Sequence, residues 1–220
     1  MTRAPDIDNK VGVSKCLLVP LATSIESPAS RIVQAASRCF ARKGYAGTTI
    51  TDIELEAGYS PRAGGIYRHF PSKRSILEAV IDAAVDGNEA MIGEMRSSAL
   101  PVGVTVPPAR IAELIVRRAL SELDKQAELF QIVFRDLDQF PDLLAKVRDG
   151  LANATVALAR GLAASNPAID AEALAVVAVG PTIDFKIKQH MLGFTPLGIS
   201  EERFVAAWVK IFTPLYAGAL

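Results

Sequence analysis

Between residues 28 and 77 short apolar runs recur at helical spacing, each closed by a glycine or a proline. A chain punctuated this densely folds there into small helices joined by tight turns, with little room for anything longer. Ser27-Pro28 or Ser30 offers the first start, since serine caps helices and proline suits their first position. Ile32, Val33, Ala36, Cys39 and Phe40 fall on one face, and Gly44 ends the run. Thr48 or Thr49 caps a second, short helix that turns Ile50, Ile53 and Ala57 inward and stops at Gly58. Tyr59-Ser60-Pro61 reads as a turn in which Ser60 caps and Pro61 opens a third helix, carrying Ile66 and Tyr67 and ending near Phe70-Pro71. Ser72 then caps a fourth, with Ile76, Leu77, Val80 and Ile81 on one face, running to about Arg96.

Two short helices around a tight turn, behind a longer buttress, have the layout of a helix-turn-helix unit. The charge supports that reading. The chain as a whole is neutral, yet residues 28–75 hold eight Lys/Arg against three acids and the chain from residue 76 onward is acidic. A basic head on an acidic body presents one end to a polyanion. Placement sharpens the point. Arg62 falls in the first turn of the third helix, and Lys73 and Arg74 in that of the fourth, where the helix dipole disfavours cations by about 0.3–1 kcal/mol each. A docked phosphate would reverse that sign. Ala63-Gly64-Gly65 is poor helix sequence, but its small residues would let the backbone approach DNA closely.

The spaced set Ile32, Ala35-Ala36, Phe40, Gly44-Tyr45, Thr48-Thr49-Ile50, Ile53, Ala57-Gly58, Ser60, Ile66-Tyr67, His69-Phe70, Ser72-Lys73 and Leu77 resembles the DNA-binding head of TetR-type (TetR/AcrR-like) transcriptional regulators. The resemblance covers roughly a fifth of the chain. Two features depart from the common pattern: Glu54 stands where a small residue is usual, and the stretch from Ser60 to Ile66 is longer. The resemblance implies phosphate contacts from Thr48 or Thr49, Tyr67, His69 and Lys73. It implies groove contacts from Ser60, Pro61, Arg62, Ala63, Gly64, Gly65 and Arg68, with Arg62 and Arg68 able to read guanine through bidentate bonds. It further implies an all-α protein: a three-helix head over 28–75, a flexible arm over 1–27, a connecting helix over 76–99, and a helical regulatory and dimerisation body over 100–220. Operator DNA, a second copy of the chain and a small-molecule effector are the partners it implies, with repression as the usual mode.

The body reads as long helices near 109–126, 127–139, 142–165, 171–192 and 200–218. Pro181 and Pro214 fall inside two of these patterns and are expected to kink or interrupt them. Leu174, Val177, Val205, Val209 and Phe212 on the last two helices suit either a four-helix dimer interface or ordinary core. Arg117, Phe130, Phe134, Asp184, His190, Met191 and Trp208 are candidates for contact with a hydrophobic or aromatic effector. An architectural DNA-binding protein, its body a docking surface without an effector, is the alternative. No phosphate loop or nucleophile motif suggests an enzyme or a cofactor. Two cysteines (Cys16, Cys39) and two distant histidines (His69, His190) form no zinc pattern, and Cys39 is expected to be a buried, reduced thiol. No apolar run reaches the roughly 20 residues of a membrane span, so the expected location is the cytoplasm.

Overall fold

The computed structural model describes residues 27–61, 64–97 and 106–216. Among them every regular element is a helix. Helix α1 spans Pro28–Gly47, α2 Ile50–Glu56, α3 Lys73–Ser97, α4 Pro108–Lys125, α5 Ala127–Asp136, α6 Pro141–Ser165, α7 Ala171–Leu192 and α8 Glu201–Tyr216. Short 3-10 turns occupy Ile66–Arg68, Leu137–Gln139 and Pro196–Gly198. No helix among the described residues is long and apolar enough to cross a membrane. The arm over 1–26, including Cys16, and the linker over 98–105 lie outside the described residues.

The caps explain the starts. Ser27 accepts from the Ser30 amide at 3.1 Å, and Thr49 and Asp52 form a reciprocal capping box on α2. Ser72 accepts from the Ser75 amide ahead of α3. Within α1 the helix breaks at Gly44, whose φ of 77° and ψ of 163° lie in a region open only to glycine. The third segment differs from the sequence expectation: Pro61 is a turn residue, and no α-helix occurs among the described residues between it and Lys73. Gly64 is left-handed (φ 67°), and only the 3-10 turn at Ile66–Arg68 follows, anchored by the buried Ile66. The glycine pair and the longer turn favour that looser geometry over a regular α-helix.

Neither internal proline ends its helix; α7 runs continuously through Pro181 and α8 through Pro214. Each removes one backbone donor, and the carbonyls left over, at Val177 and Lys210, belong to exposed residues that water can reach.

Packing divides differently from the chain. One core joins the head to the near half of the body: Ile32, Ala36, Phe40, Ile53, Ile66, Leu77 and Ile81 pack with Leu129, Ile132, Leu137 and Leu143. The second joins α4, the end of α6, α7 and α8 through Val116, Leu120, Leu162, Phe185, Trp208 and Phe212.

The head meets the body at the break in α1. Asp136, itself buried, accepts from the Tyr45 amide at 2.9 Å, and Arg135 donates to the Ala41 carbonyl at 2.9 Å. Tyr45 lies edge-on to Phe140, 4.8 Å between centroids. A β-carbon at Gly44 would come within 3.1 Å of Arg135 Cδ and 3.4 Å of Asp136 Oδ1. Gly44→Ala is therefore expected to destabilise the protein by about 1–3 kcal/mol, read as a drop in thermal midpoint. Gly47→Ala, which meets nothing closer than Lys43 Cβ at 3.7 Å, is expected to leave the midpoint nearly unchanged.

Candidate functional site

The described head residues divide into a buried scaffold and an exposed face. Thr49, Ser60, Pro61, Tyr67, Arg68 and His69 are all exposed, and Gly64 and Gly65 are half-buried beside them. Tyr67 is 58 % exposed although aromatic, while its neighbour Ile66 is wholly buried. The turn thus pins itself by one residue and presents the next. Arg62 and Ala63 lie outside the described residues.

Thr48 does not share that face. It is buried, and its hydroxyl hydrogen is directed at the Gly44 carbonyl (2.8 Å) or the Cys39 carbonyl (3.1 Å). Thr49 is the exposed one of the two, with its hydroxyl donating to Asp52 Oδ2 at 2.8 Å and accepting from the Asp52 amide at 3.1 Å.

Lys73 has an internal role that sequence reasoning did not foresee. Its Nζ donates to the Tyr45 carbonyl at 2.7 Å and to the Thr48 carbonyl at 2.9 Å, and it lies 4.3 Å from the Tyr45 ring centroid. It thereby caps the end of α1 from the start of α3. Arg74 reaches the body, donating to Asp142 at 2.6 Å. The cations at the start of α3 therefore have intramolecular partners, and their unfavourable dipole position needs no phosphate to explain it.

The rest of the basic patch is also stitched inward. Arg38 and Arg42 both meet Glu56, at 2.7 and 2.6 Å, and Lys43 meets Asp52 at 2.6 Å. These pairs tie α2 against α1. Among the described head cations Arg68 makes no ion pair, and Arg31 contacts only the Tyr59 ring and hydroxyl. Cys39 is a free, buried thiol, pushed above its ordinary pKa first by burial and then by the nearby Glu56 carboxylate.

The apolar residues of the body enclose a cavity of about 110 Å³. Val85 of α3, Phe130 and Phe134 of α5, Leu151 of α6 and Ile183 and Ile187 of α7 are among its walls, with Gln126 the one polar side chain. A smaller void of about 70 Å³ adjoins it and shares Gln126, Leu151 and Ile183. Of the sequence candidates for effector contact, the structure brings only Phe130 and Phe134 to this cavity. Arg117 is held by Glu113 and Glu202, Asp184 by Lys188, and His190 lies 2.7 Å from Asp124. Met191 is half-buried away from the cavity walls. Trp208 is core, donating its indole N–H to the Ala178 carbonyl at 3.0 Å. The missed wall residues Ile183 and Ile187 had a signal, since they form, like Phe130 and Phe134, an i, i+4 pair of large apolar side chains.

Lys186 was missed altogether. It is 1 % exposed and bridges Asp124 at 2.7 Å and Glu201 at 2.6 Å. Nothing in its local sequence distinguishes it from a surface lysine.

Two interface candidates are corrected. Val205 and Phe212 are 2 % and 5 % exposed and belong to the chain's own second core. Leu174 and Val209 pack half-buried against that core. Val177 alone of the five is exposed, at 57 %.

Residues 32–80 match the family model for bacterial regulatory proteins of the tetR family. The head belongs to the tetR family. Beyond the length of this tetR-family head, a segment of 76 residues is 33 % identical to the HTH-type transcriptional regulator TtgR of Pseudomonas putida, covering 34 % of this chain and 35 % of the relative. A 47-residue segment is 47 % identical to the HTH-type regulator YerO of Bacillus subtilis, covering 21 % of this chain and 16 % of that one. The matches thus span about a third or less of the curated relatives. Two solved structures share the fold over nearly the whole chain. A transcriptional regulator from Aquifex aeolicus VF5 superposes with a TM-score of 0.59 at 19 % identity, over 86 % of this chain and 99 % of its own. FadR from Bacillus subtilis, in complex with stearoyl-CoA, gives 0.60 at 18 % identity, over 86 % and 97 %. The likeness therefore extends past the tetR-family head to an all-helical body.

The staples between α1 and α2 make the tetR-family head acid-sensitive. Asp52 is held well below the usual carboxylate range, first by the bond from Lys43 and then by the Thr49 amide. Glu56 is lowered by Arg42 and Arg38. Groups with depressed folded pKa values contribute stability above their unfolded pKa, about 4, and lose it as the pH falls below that value. Denaturation midpoints are expected to fall between pH 5 and pH 2, and to fall less steeply for Asp52→Asn.

Proposed function

We propose that this chain is a dimeric, sequence-specific DNA-binding transcription regulator, a repressor released from a palindromic operator by a small apolar ligand. One observation carries the reading. A tetR-family head holds Thr49, Ser60, Tyr67, Arg68 and His69 exposed on a scaffold in which Arg38, Arg42, Lys43, Lys73 and Arg74 have internal partners. Tyr67 and Thr49 suit phosphate oxygens, which fix register, and Arg68 suits a guanine edge, which supplies specificity. The relatives are regulators rather than enzymes, which supports a binding role. The body cavity supports the effector, as does the complex of stearoyl-CoA with the similarly folded FadR. Selection of sites from a random DNA pool is expected to enrich a palindrome. Arg68→Ala or Arg62→Ala is expected to relax one base position at a cost of about 1–3 kcal/mol, and Tyr67→Phe to weaken all sites alike. Salt-sensitive binding with no enriched sequence would leave an architectural role, and no binding would sink the reading.

A pair of heads needs a pairing surface. The bond between Trp208 and Ala178 and the stacking of Phe185 on Phe204 set α7 and α8 antiparallel. That register brings the exposed Val177 and Ile211, with Val176 beside them, to one level. These residues, flanked by exposed Ala173, Gly180 and Ala207, form an apolar face suited to a second copy. Val177→Asp combined with Ile211→Asp is expected to yield a folded monomer by sedimentation that has lost palindrome affinity. Phe212→Ala is expected instead to destabilise the fold, by about 3–5 kcal/mol. A double variant that stayed dimeric would move the interface elsewhere.

A further inference from the structure

We infer that Arg31, on α1 and outside the turn that meets DNA, is a specificity-determining residue: laid over the Tyr59 ring, it holds the shelf against which the turn Ile66–Arg68 is set. The inference rests on the DNA-binding reading above and names the residues that give its base contacts their geometry.

Tyr59 is placed by the backbone. The chain leaves α2 through Gly58, which is left-handed with φ 77°. The Gly58 amide donates to the Leu55 carbonyl at 3.1 Å, and the Tyr59 amide to the Glu54 carbonyl at 2.8 Å. That paired closure of a helix end fixes the residue after the glycine. The Tyr59 ring packs half-buried against the head core and meets Gly65. A β-carbon at Gly65 would lie 3.5 Å from Tyr59 Cδ1 and 3.9 Å from Cε1.

That contact supplies what Ile66 alone does not. Ile66 is wholly buried and pins the 3-10 turn to the core at one point. A short turn held at one point is free to rotate about it. Gly65 against the ring is a second point, and two points fix the direction in which the exposed Tyr67 and Arg68 leave the surface. The two residues feel a rotation unequally. A hydrogen bond to phosphate tolerates it, whereas a bidentate bond to a base edge does not.

The ring is held in turn by Arg31. Its guanidinium carbon lies over the ring, 5.5 Å from the centroid, and its Nη2 is 3.4 Å from the Tyr59 hydroxyl oxygen. Among the described residues Arg31 has no carboxylate partner, unlike Arg38, Arg42, Lys43 and Arg74. Near the start of α1 the helix dipole gives a cation nothing. The attraction of a cation for an aromatic face is therefore what keeps Arg31 there.

The test is site selection from a random DNA pool by the full-length protein, repeated for Arg31→Ala, Tyr59→Leu and the double variant. Binding to a fixed non-cognate duplex is measured in parallel as a function of salt. Arg31→Ala is expected to lower the enrichment of the preferred bases severalfold, with the salt dependence and the thermal midpoint near those of the parent. Tyr59→Leu is expected to relax the same base positions, and Arg31→Ala to add nothing in that background, because both act through one contact. Tyr59→Phe, which keeps the ring, and Arg31→Lys, which keeps a cation over it, should each recover most of the discrimination. In the free protein, Arg31→Ala should shift the nuclear magnetic resonances of Gly65, which report the neighbouring ring, together with the amides of Tyr67 and Arg68. A shallower salt dependence in Arg31→Ala with base preferences unchanged would make Arg31 a phosphate contact and overturn the inference. Additive losses in the double variant, or Gly65 resonances indifferent to Arg31, would overturn it as well. A parent protein that enriches no site would remove the regulator reading and this role together. A site enriched equally by parent and variants would remove the role alone.

Discussion

The break at Gly44 opens a helix in the middle of the protein, and the structure around it is organised by the need to satisfy what the break exposes. Buried backbone groups without partners are costly, by about 1–3 kcal/mol each. Here the groups at the break are met by four side chains. Asp136 takes the Tyr45 amide, Arg135 the Ala41 carbonyl, Thr48 the Gly44 carbonyl, and Lys73 the carbonyls of Tyr45 and Thr48. These partners come from α1's own end, from the first residue of α3 and from the end of α5. A single irregularity in one helix therefore fixes the relative positions of three. It also sets where α2 begins, because Thr48 is locked inward while Thr49, one residue on, faces out to cap it.

That arrangement changes what the head's positive charge means. Counted along the chain, the cations resemble an electrostatic footprint for DNA. In three dimensions Arg38, Arg42, Lys43 and Arg74 have carboxylate partners within 2.7 Å. Surface pairs of this kind contribute little to stability singly, but they orient α2 and tie α3 to α6. They also reduce the net field that a phosphate backbone would meet. In the proposed regulator, recognition would rest on a few groups on the turn, with hydrogen-bonding geometry weighted above bulk charge.

The helices were legible in the sequence because capping and punctuation are local. Ser27, Thr49, Ser72, Gly44 and Gly58 act within a few residues of where they stand, so the boundaries follow from short windows. Which side of a helix faces which partner is not local. Val205 and Phe212 share a stripe that periodicity marks as apolar, and periodicity says only that the stripe is covered. It does not distinguish the chain's own α4 and α7 from a second copy. Lys73 is equally non-local, since the two carbonyls its ammonium meets, of Tyr45 and Thr48, lie more than twenty residues back along the chain. Lys186 left no trace because its acids, Asp124 and Glu201, come from other helices. Neither Pro181 nor Pro214 interrupts its helix, and the carbonyl each strands belongs to an exposed residue.

The head is attached to the body at two places of different stiffness. At the first, between α1 and α5, the contacts are short bonds to backbone from a buried aspartate and an arginine, packed around a glycine with no spare volume. At the second, between α3 and α6, the polar contacts are Arg74 with Asp142 and Lys146 with Glu78 and Asp82, all of them more than 40 % exposed. Long exposed side chains keep such pairs through displacements of an ångström or more, whereas bonds to backbone at a helix break do not. A helix of ten residues such as α5, about 15 Å long, is too short to bend between its cavity wall and its seal. The α1–α5 junction is thus the stiffer of the two attachments and the α3–α6 crossing the looser.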